Sequence, residues 1–153
     1  MAISRKILGH FLLLVSLLVS GALPALAAEA ADVQHYPPAD INAPYSPVVR
    51  MGALLFLAGQ VGRAEDGTIP TGTSAQTHVI MKKIKKLVET HGSSMDRVGK
   101  CTVFLLDMAD WSSFNAVYTQ YFKPGRRPAR SAVGMNGLAT GYRVEVECIA
   151  AVK

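Results

Sequence analysis

The sequence predicts an α+β fold: a single β-β-α-β-α-β-β domain with two helices on one face of a mixed sheet. Two patterns predict it. Leu54–Ala58 and Val98–Leu106 are mostly apolar, and Arg143–Ile149 alternates charged and apolar residues, the period-two signature of strands. Between the strands, Ile80, Ile84, Leu87 and Val88 recur on one helical face, and Trp111, Phe114, Val117, Tyr118, Tyr121 and Phe122 make a broad aromatic stripe. Helices that are apolar on one side only pack together on one face of one sheet. The chain has 153 residues, 50% apolar and 18% charged, enough for one compact domain.

In chain order, residues 1–28 come first. Arg5 and Lys6 precede an apolar stretch from Phe11 to Val19, then Gly21, Pro24 and Ala25-Leu26-Ala27. That is the layout of a cleaved secretory signal peptide, and it sets the expectation of a periplasmic or secreted protein with no stable membrane anchor. An uncleaved anchor is the alternative. Without Arg5 and Lys6 the charge falls from +5 to +3, 14 basic against 11 acidic residues. So mild an excess requires no nucleic-acid partner. Residues 29–47 are polar and Pro-rich, and are expected to be extended and partly mobile; Tyr45 is held between Pro44 and Pro47.

The domain proper is expected over residues 48–153. Val48-Val49-Arg50 and Leu54–Ala58 read as a hairpin turning at Met51-Gly52, and the second arm should be a central strand. Gly59 to Gly72 is a loop. Thr73 or Ser74 can cap the first helix, and Gly92 stops it. Its Lys82, Lys83, Lys85 and Lys86 read as a solvated outer face. After the third strand, Asp110 caps the aromatic helix, with Asn115 on the same turn as the stripe, and Pro124-Gly125 ends it. Cys101 and Cys148 fall in separate strands; they could bridge if those strands are neighbours, but two separate buried thiols are the expectation.

The last stretch carries the chemistry. Glu145 and Glu147 lie on one face of an apolar strand, which is costly in a dry core. Either water or a partner must satisfy them. Arg130 offers a planar charged fork for a carboxylate, and a Glu offers a base or a water-holder. Together they suggest a site for a small carboxylate. On pattern alone a structural Arg–Glu bridge or a solvated strand face weighs more. Because both helices take one side of the sheet, the other side needs cover, and an oligomer is expected with the polar site at its seam. No metal-ligand spacing, dinucleotide fingerprint, phosphate loop or GxSxG elbow is present, so no metal and no cofactor are expected.

Taken together, Pro44-Tyr45, Ala58-Gly59-Gln60, Phe114-Asn115-Ala116-Val117-Tyr118, Pro128-Ala129-Arg130-Ser131 and Val144–Ala150 resemble the reactive intermediate deaminase family, RidA or YjgF-like, in the family's order. The resemblance implies a chorismate-mutase-like fold and a homotrimer with clefts between subunits. It also implies hydrolysis of small 2-imino or enamine acids, such as 2-iminopropanoate and 2-iminobutanoate, to 2-keto acids and ammonia. Arg130 would hold the substrate carboxylate and Glu145 would position or activate water, while Tyr45, Gly59 and Asn115 would line the cleft. Three positions depart from the family pattern: Ala58 where Ser is common, Ala132 where Cys is common, and Gly134 where a larger residue is usual. A non-catalytic carboxylate-binding trimer is the alternative, and RNA cleavage a more distant one.

Overall fold

The computed structural model describes residues 32–139 and 141–153. The signal-peptide expectation falls on residues 1–28, outside the described part. Six strands form one mixed sheet: β1 (Val33–Tyr36), β2 (Val48–Met51), β3 (Leu54–Val61), β4 (Val98–Leu105), β5 (Ala129–Gly134) and β6 (Val144–Ala151). Two helices, α1 (Thr73–Thr90) and α2 (Trp111–Tyr118), pack on one of its faces. The order across the sheet is β1-β2-β3-β6-β4-β5. Every pairing is antiparallel except β4 with β5, which run parallel because α2 crosses over between them.

The expected order of elements is present, with one addition. Within the stretch expected to be extended and partly mobile, Val33–Tyr36 pairs with β2 as an edge strand. Tyr36 packs edge-on against His91 at the end of α1, with ring centroids 4.3 Å apart. The β2–β3 hairpin turns through Gly52-Ala53, with Met51 opposite Leu54.

Under the helices lies the core: Leu55, Leu57, Ile80, Met81, Ile84, Val88, Val103, Leu105, Phe114, Tyr118, Val144 and Val146 are all buried. Alternate residues of the same strands face the other way. There Phe56 and Leu54 keep 37% and 41% of their surface exposed beside Glu145 and Glu147, so the second face of the sheet carries apolar residues that a single chain leaves uncovered. The capping expectations changed. The N-cap of α1 is Gly72, with no side-chain cap, and Asp110 precedes α2 without capping it. Both polar groups are used elsewhere: Thr73 Oγ1 donates to Asp110 Oδ2 at 2.5 Å, and Arg143 donates to the same oxygen through Nε at 2.9 Å. Arg143 Nη2 completes the pair at 2.7 Å. Of the four lysines, Lys82, Lys85 and Lys86 are exposed, but Lys83 folds back and donates to the Val61 carbonyl at 3.2 Å.

The cysteines correct the sequence reading. Cys101 and Cys148 form a disulfide, with Cα atoms 4.1 Å apart. The reason is register: β4 and β6 are neighbours although 47 residues separate the two cysteines, and Cys101 stands directly opposite Cys148. Both face the helices and are buried.

Candidate functional site

Arg130 leads the site. It sits on the edge strand β5, opposite Cys101 in the parallel register, so it shares the helix-side face with that buried residue. Its guanidinium lies among three rings of α2: Trp111 at 4.6 Å, Tyr118 at 4.8 Å and Phe114 at 5.7 Å from the ring centroids. Its Nη1 donates to Asn115 Oδ1 at 2.8 Å. Stacking on aromatic faces and one amide contact hold a cation in place without neutralising it. Among the described residues, no carboxylate forms an ion pair with Arg130. Its remaining N–H groups are therefore offered to something outside the chain. An aromatic stripe at this spacing reads first as core. Trp111, Phe114 and Tyr118 have a second use, and the signal for it was Asn115 one turn away on the same helix.

Tyr118 is 2% exposed, and burial pushes its phenol up to about 12, with the Arg130 charge opposing. It therefore stays neutral beneath the cation. Its hydroxyl is the one buried side-chain polar atom among the described residues without a hydrogen-bond partner.

Glu145 belongs to a second cluster. It pairs with Val61 on one side and Phe104 on the other, on the face away from the helices. At β3 an extra residue between Leu57 and Gln60 shifts the register, and in this bulge Gly59 lies against Glu145. The approach is close: a Cβ on Gly59 would lie 1.8 Å from Glu145 Oε1, so the carboxylate would have to move. Tyr45 is exposed, in the loop that reaches the same end of β3, where the Ala58 N–H donates to the Pro47 carbonyl at 3.0 Å. Partial burial raises the Glu145 carboxyl above the usual carboxylate range, and the charge of Glu147 adds to the effect.

The five residues thus fall into two groups. Arg130 and Asn115 meet on the helix side at one edge of the sheet. Gly59 and Glu145 meet on the opposite face, with Tyr45 at the same end of β3. Register decides this: Arg130 aligns with helix-facing Cys101, whereas Glu145 aligns with outward-facing Phe104. A single chain does not present Arg130 and Glu145 to one small ligand. No group of three metal-binding side chains comes together among the described residues.

The fold and this arrangement define a small α+β domain with an unpaired cationic clamp and a separate desolvated carboxylate. The family model described as endoribonuclease L-PSP matches residues 37–152. The chain belongs to this family, the YjgF/RidA family. Protein HMF1 of Saccharomyces cerevisiae is 37% identical over 110 residues, 71% of this chain and 84% of that protein. A protein of Mus musculus named 2-iminobutanoate/2-iminopropanoate deaminase is 35% identical over 109 residues, covering 70% of this chain and 80% of its own length. The crystal structure of RidA from the Antarctic bacterium Psychrobacter sp. PAMC 21119 superposes with a TM-score of 0.69 at 30% identity, over 81% of this chain and 99% of the other. The family to which this chain is similar therefore includes imine deaminases.

Proposed function

We propose that the protein hydrolyses small 2-imino acids to 2-oxo acids and ammonia. The sites form where the Arg130 edge of one copy meets the Glu145 face of another, in a homotrimer of the family type. The observation that carries this is the guanidinium of Arg130, stacked, half-buried and without an acidic partner among the described residues. A carboxylate is the anion that a planar fork holds at two points. Bound there, the imino acid is fixed by its carboxylate, and its imine carbon is left for attack. A water held by Glu145 attacks that carbon, and the carboxylate accepts a proton from it. Glu145 returns the proton to the nitrogen of the resulting amino alcohol, and ammonia leaves as the hydroxyl on that carbon loses its own proton to give the 2-oxo acid. Desolvation moves the pKa of Glu145 towards neutrality, where a base is most effective, and such help is worth about 10²–10⁴-fold. Asn115 orients Arg130, and Gly59 lets Glu145 lie against the β3 bulge.

Leu54, Phe56 and Val133, exposed on the uncovered face of the sheet, support assembly, because exposed apolar residues gathered on one face mark interaction surfaces. The basic and apolar leader, together with the disulfide, supports export to an oxidising compartment. Ala58 and Ala132 favour a second reading: the same assembly holding a 2-oxo acid without turning over its imine. Generating 2-iminopropanoate with an amino-acid oxidase and trapping it with semicarbazide separates the two readings. Hydrolysis lowers the trapped fraction, and Arg130→Ala removes the effect. If the wild-type protein leaves the trapped fraction unchanged while binding a 2-oxo acid, the non-catalytic reading stands.

A further inference from the structure

The four lysines of α1 do not stand in equivalent surroundings. Lys85 is paired with Glu89 on its own helix, and Lys86 with Glu65 at 2.6 Å, so a carboxylate occupies each amine. Lys82 is exposed and forms no ion pair among the described residues. Lys83 is half-buried, and its Nζ donates to the Val61 carbonyl at 3.2 Å, an oxygen that also accepts the Arg63 N–H at 2.8 Å. Burial pushes the Lys83 amine below the usual lysine range, and the Arg63 charge adds to the effect. More of such an amine is free base at neutral pH, and the free base is the form that attacks carbon.

Lys82, Lys83 and Lys86 line a groove of about 560 Å³ between α1 and the loop that carries Glu65 and Asp66. Both acids of that loop are already engaged. Glu65 holds Lys86, and Asp66 Oδ1 accepts from the Thr68 N–H at 2.9 Å and from its hydroxyl at 2.7 Å. The groove therefore joins a buried amine to an unpaired ammonium one residue away. We propose that it is a covalent capture site for small aldehydes that carry an acid group, with Lys83 as the nucleophile and Lys82 as the seat of the anion. The site lies on the helix side of the sheet, away from Glu145, and does not depend on imine hydrolysis. In the capture step the Lys83 nitrogen forms a bond to the carbonyl carbon, and the carbonyl oxygen takes up a proton that the nitrogen sheds. The carbinolamine then loses its hydroxyl and the second nitrogen proton as water, leaving a C=N bond. Amine and aldehyde give imine and water, and no other reactant is needed.

The purified protein is incubated at neutral pH with glyoxylate and sodium cyanoborohydride, which reduces each imine to a stable amine. Peptide mass mapping over time then gives the labelling rate of each lysine. Acetaldehyde in place of glyoxylate is the neutral comparison. Lys83 is expected to take up glyoxylate about tenfold faster than Lys85 or more, the lower end of what a charged cleft gives an anion, and acetaldehyde should show a smaller preference. Lys82→Gln, at an exposed side chain, should cut the glyoxylate rate at Lys83 by about threefold or more and leave its acetaldehyde rate unchanged, because only the acid feels the lost charge. Glyoxylate spread evenly over the lysines of α1 overturns the proposal. So does a preference for Lys83 that acetaldehyde shares in full and Lys82→Gln leaves intact, since the groove then selects no acid.

Discussion

The two halves of the candidate site are built by opposite means. At Arg130 the protein packs a charge: three rings and an amide fix the guanidinium, and the helix face behind it is core. At Glu145 it clears space instead, with a strand bulge and a glycine that leave room for a carboxylate on an open sheet face. The first half is rigid before any ligand arrives. The second is partly desolvated in one chain. In the proposed function, binding belongs to the packed half, and the step that needs a shifted pKa belongs to the half that assembly would cover.

The comparison breaks most visibly at the clamp. Arg130→Ala is expected to abolish turnover and to cost about 2–5 kcal/mol in 2-oxo acid affinity, measured by Trp111 quenching, because it leaves the ligand carboxylate unpaired. On the other half, Gly59→Ala should lower kcat by about 10²–10⁴-fold with little change in ligand affinity, since its Cβ displaces the base and leaves the clamp alone. A matched loss of affinity would mean that the two halves are not separable. Glu145→Gln should slow turnover in the same range without lowering the melting temperature at neutral pH. The sign follows from its raised pKa. The folded chain binds the extra proton more readily than the unfolded chain, so stability falls as pH rises through that window, and an amide removes the cost.

Much of this was legible beforehand. The strand and helix order followed from apolar periodicity, whereas the site residues were proposed from resemblance. The separation of Arg130 from Glu145 was not legible. It depends on which face each residue takes, and that is set by the register of β5 and β6 against β4, through strands far apart in sequence. The disulfide was missed for the same reason, since the adjacency of β4 and β6 is a topological fact. The strand Val33–Tyr36 was missed because four residues in a Pro-rich stretch give too little pattern to outweigh their surroundings.

Two smaller effects concern the frame that holds the halves. Replacing Cys101 and Cys148 together by Ser should destabilise the fold by about 4 kcal/mol, the chain-entropy value for a closed loop of 47 residues, read as a shift in denaturant midpoint. Activity should persist wherever the variant stays folded, because neither sulfur touches the proposed site. Asp110→Asn should cost about 1 kcal/mol, since its ion pair with Arg143 is partly exposed. Burial opposes ionisation of Asp110, but the Thr73 hydroxyl and the Arg143 fork outweigh it and hold the carboxyl below the usual range. That contribution is present above the unfolded carboxylate pKa and is lost as pH falls through the lowered folded value. Parent and variant melting temperatures should therefore converge in acid.

The most direct test of a site shared between copies is a mixing experiment. Arg130→Ala and Glu145→Gln proteins, each impaired alone, are unfolded together, refolded at equal ratio and assayed for imine hydrolysis. If each site takes Arg130 from one copy and Glu145 from its neighbour, about a quarter of the sites in a randomly mixed closed ring regain both groups, and activity returns to about a quarter of the parent's. If mixing restores nothing beyond the average of the two variants while mixed assemblies are present, the shared site is contradicted.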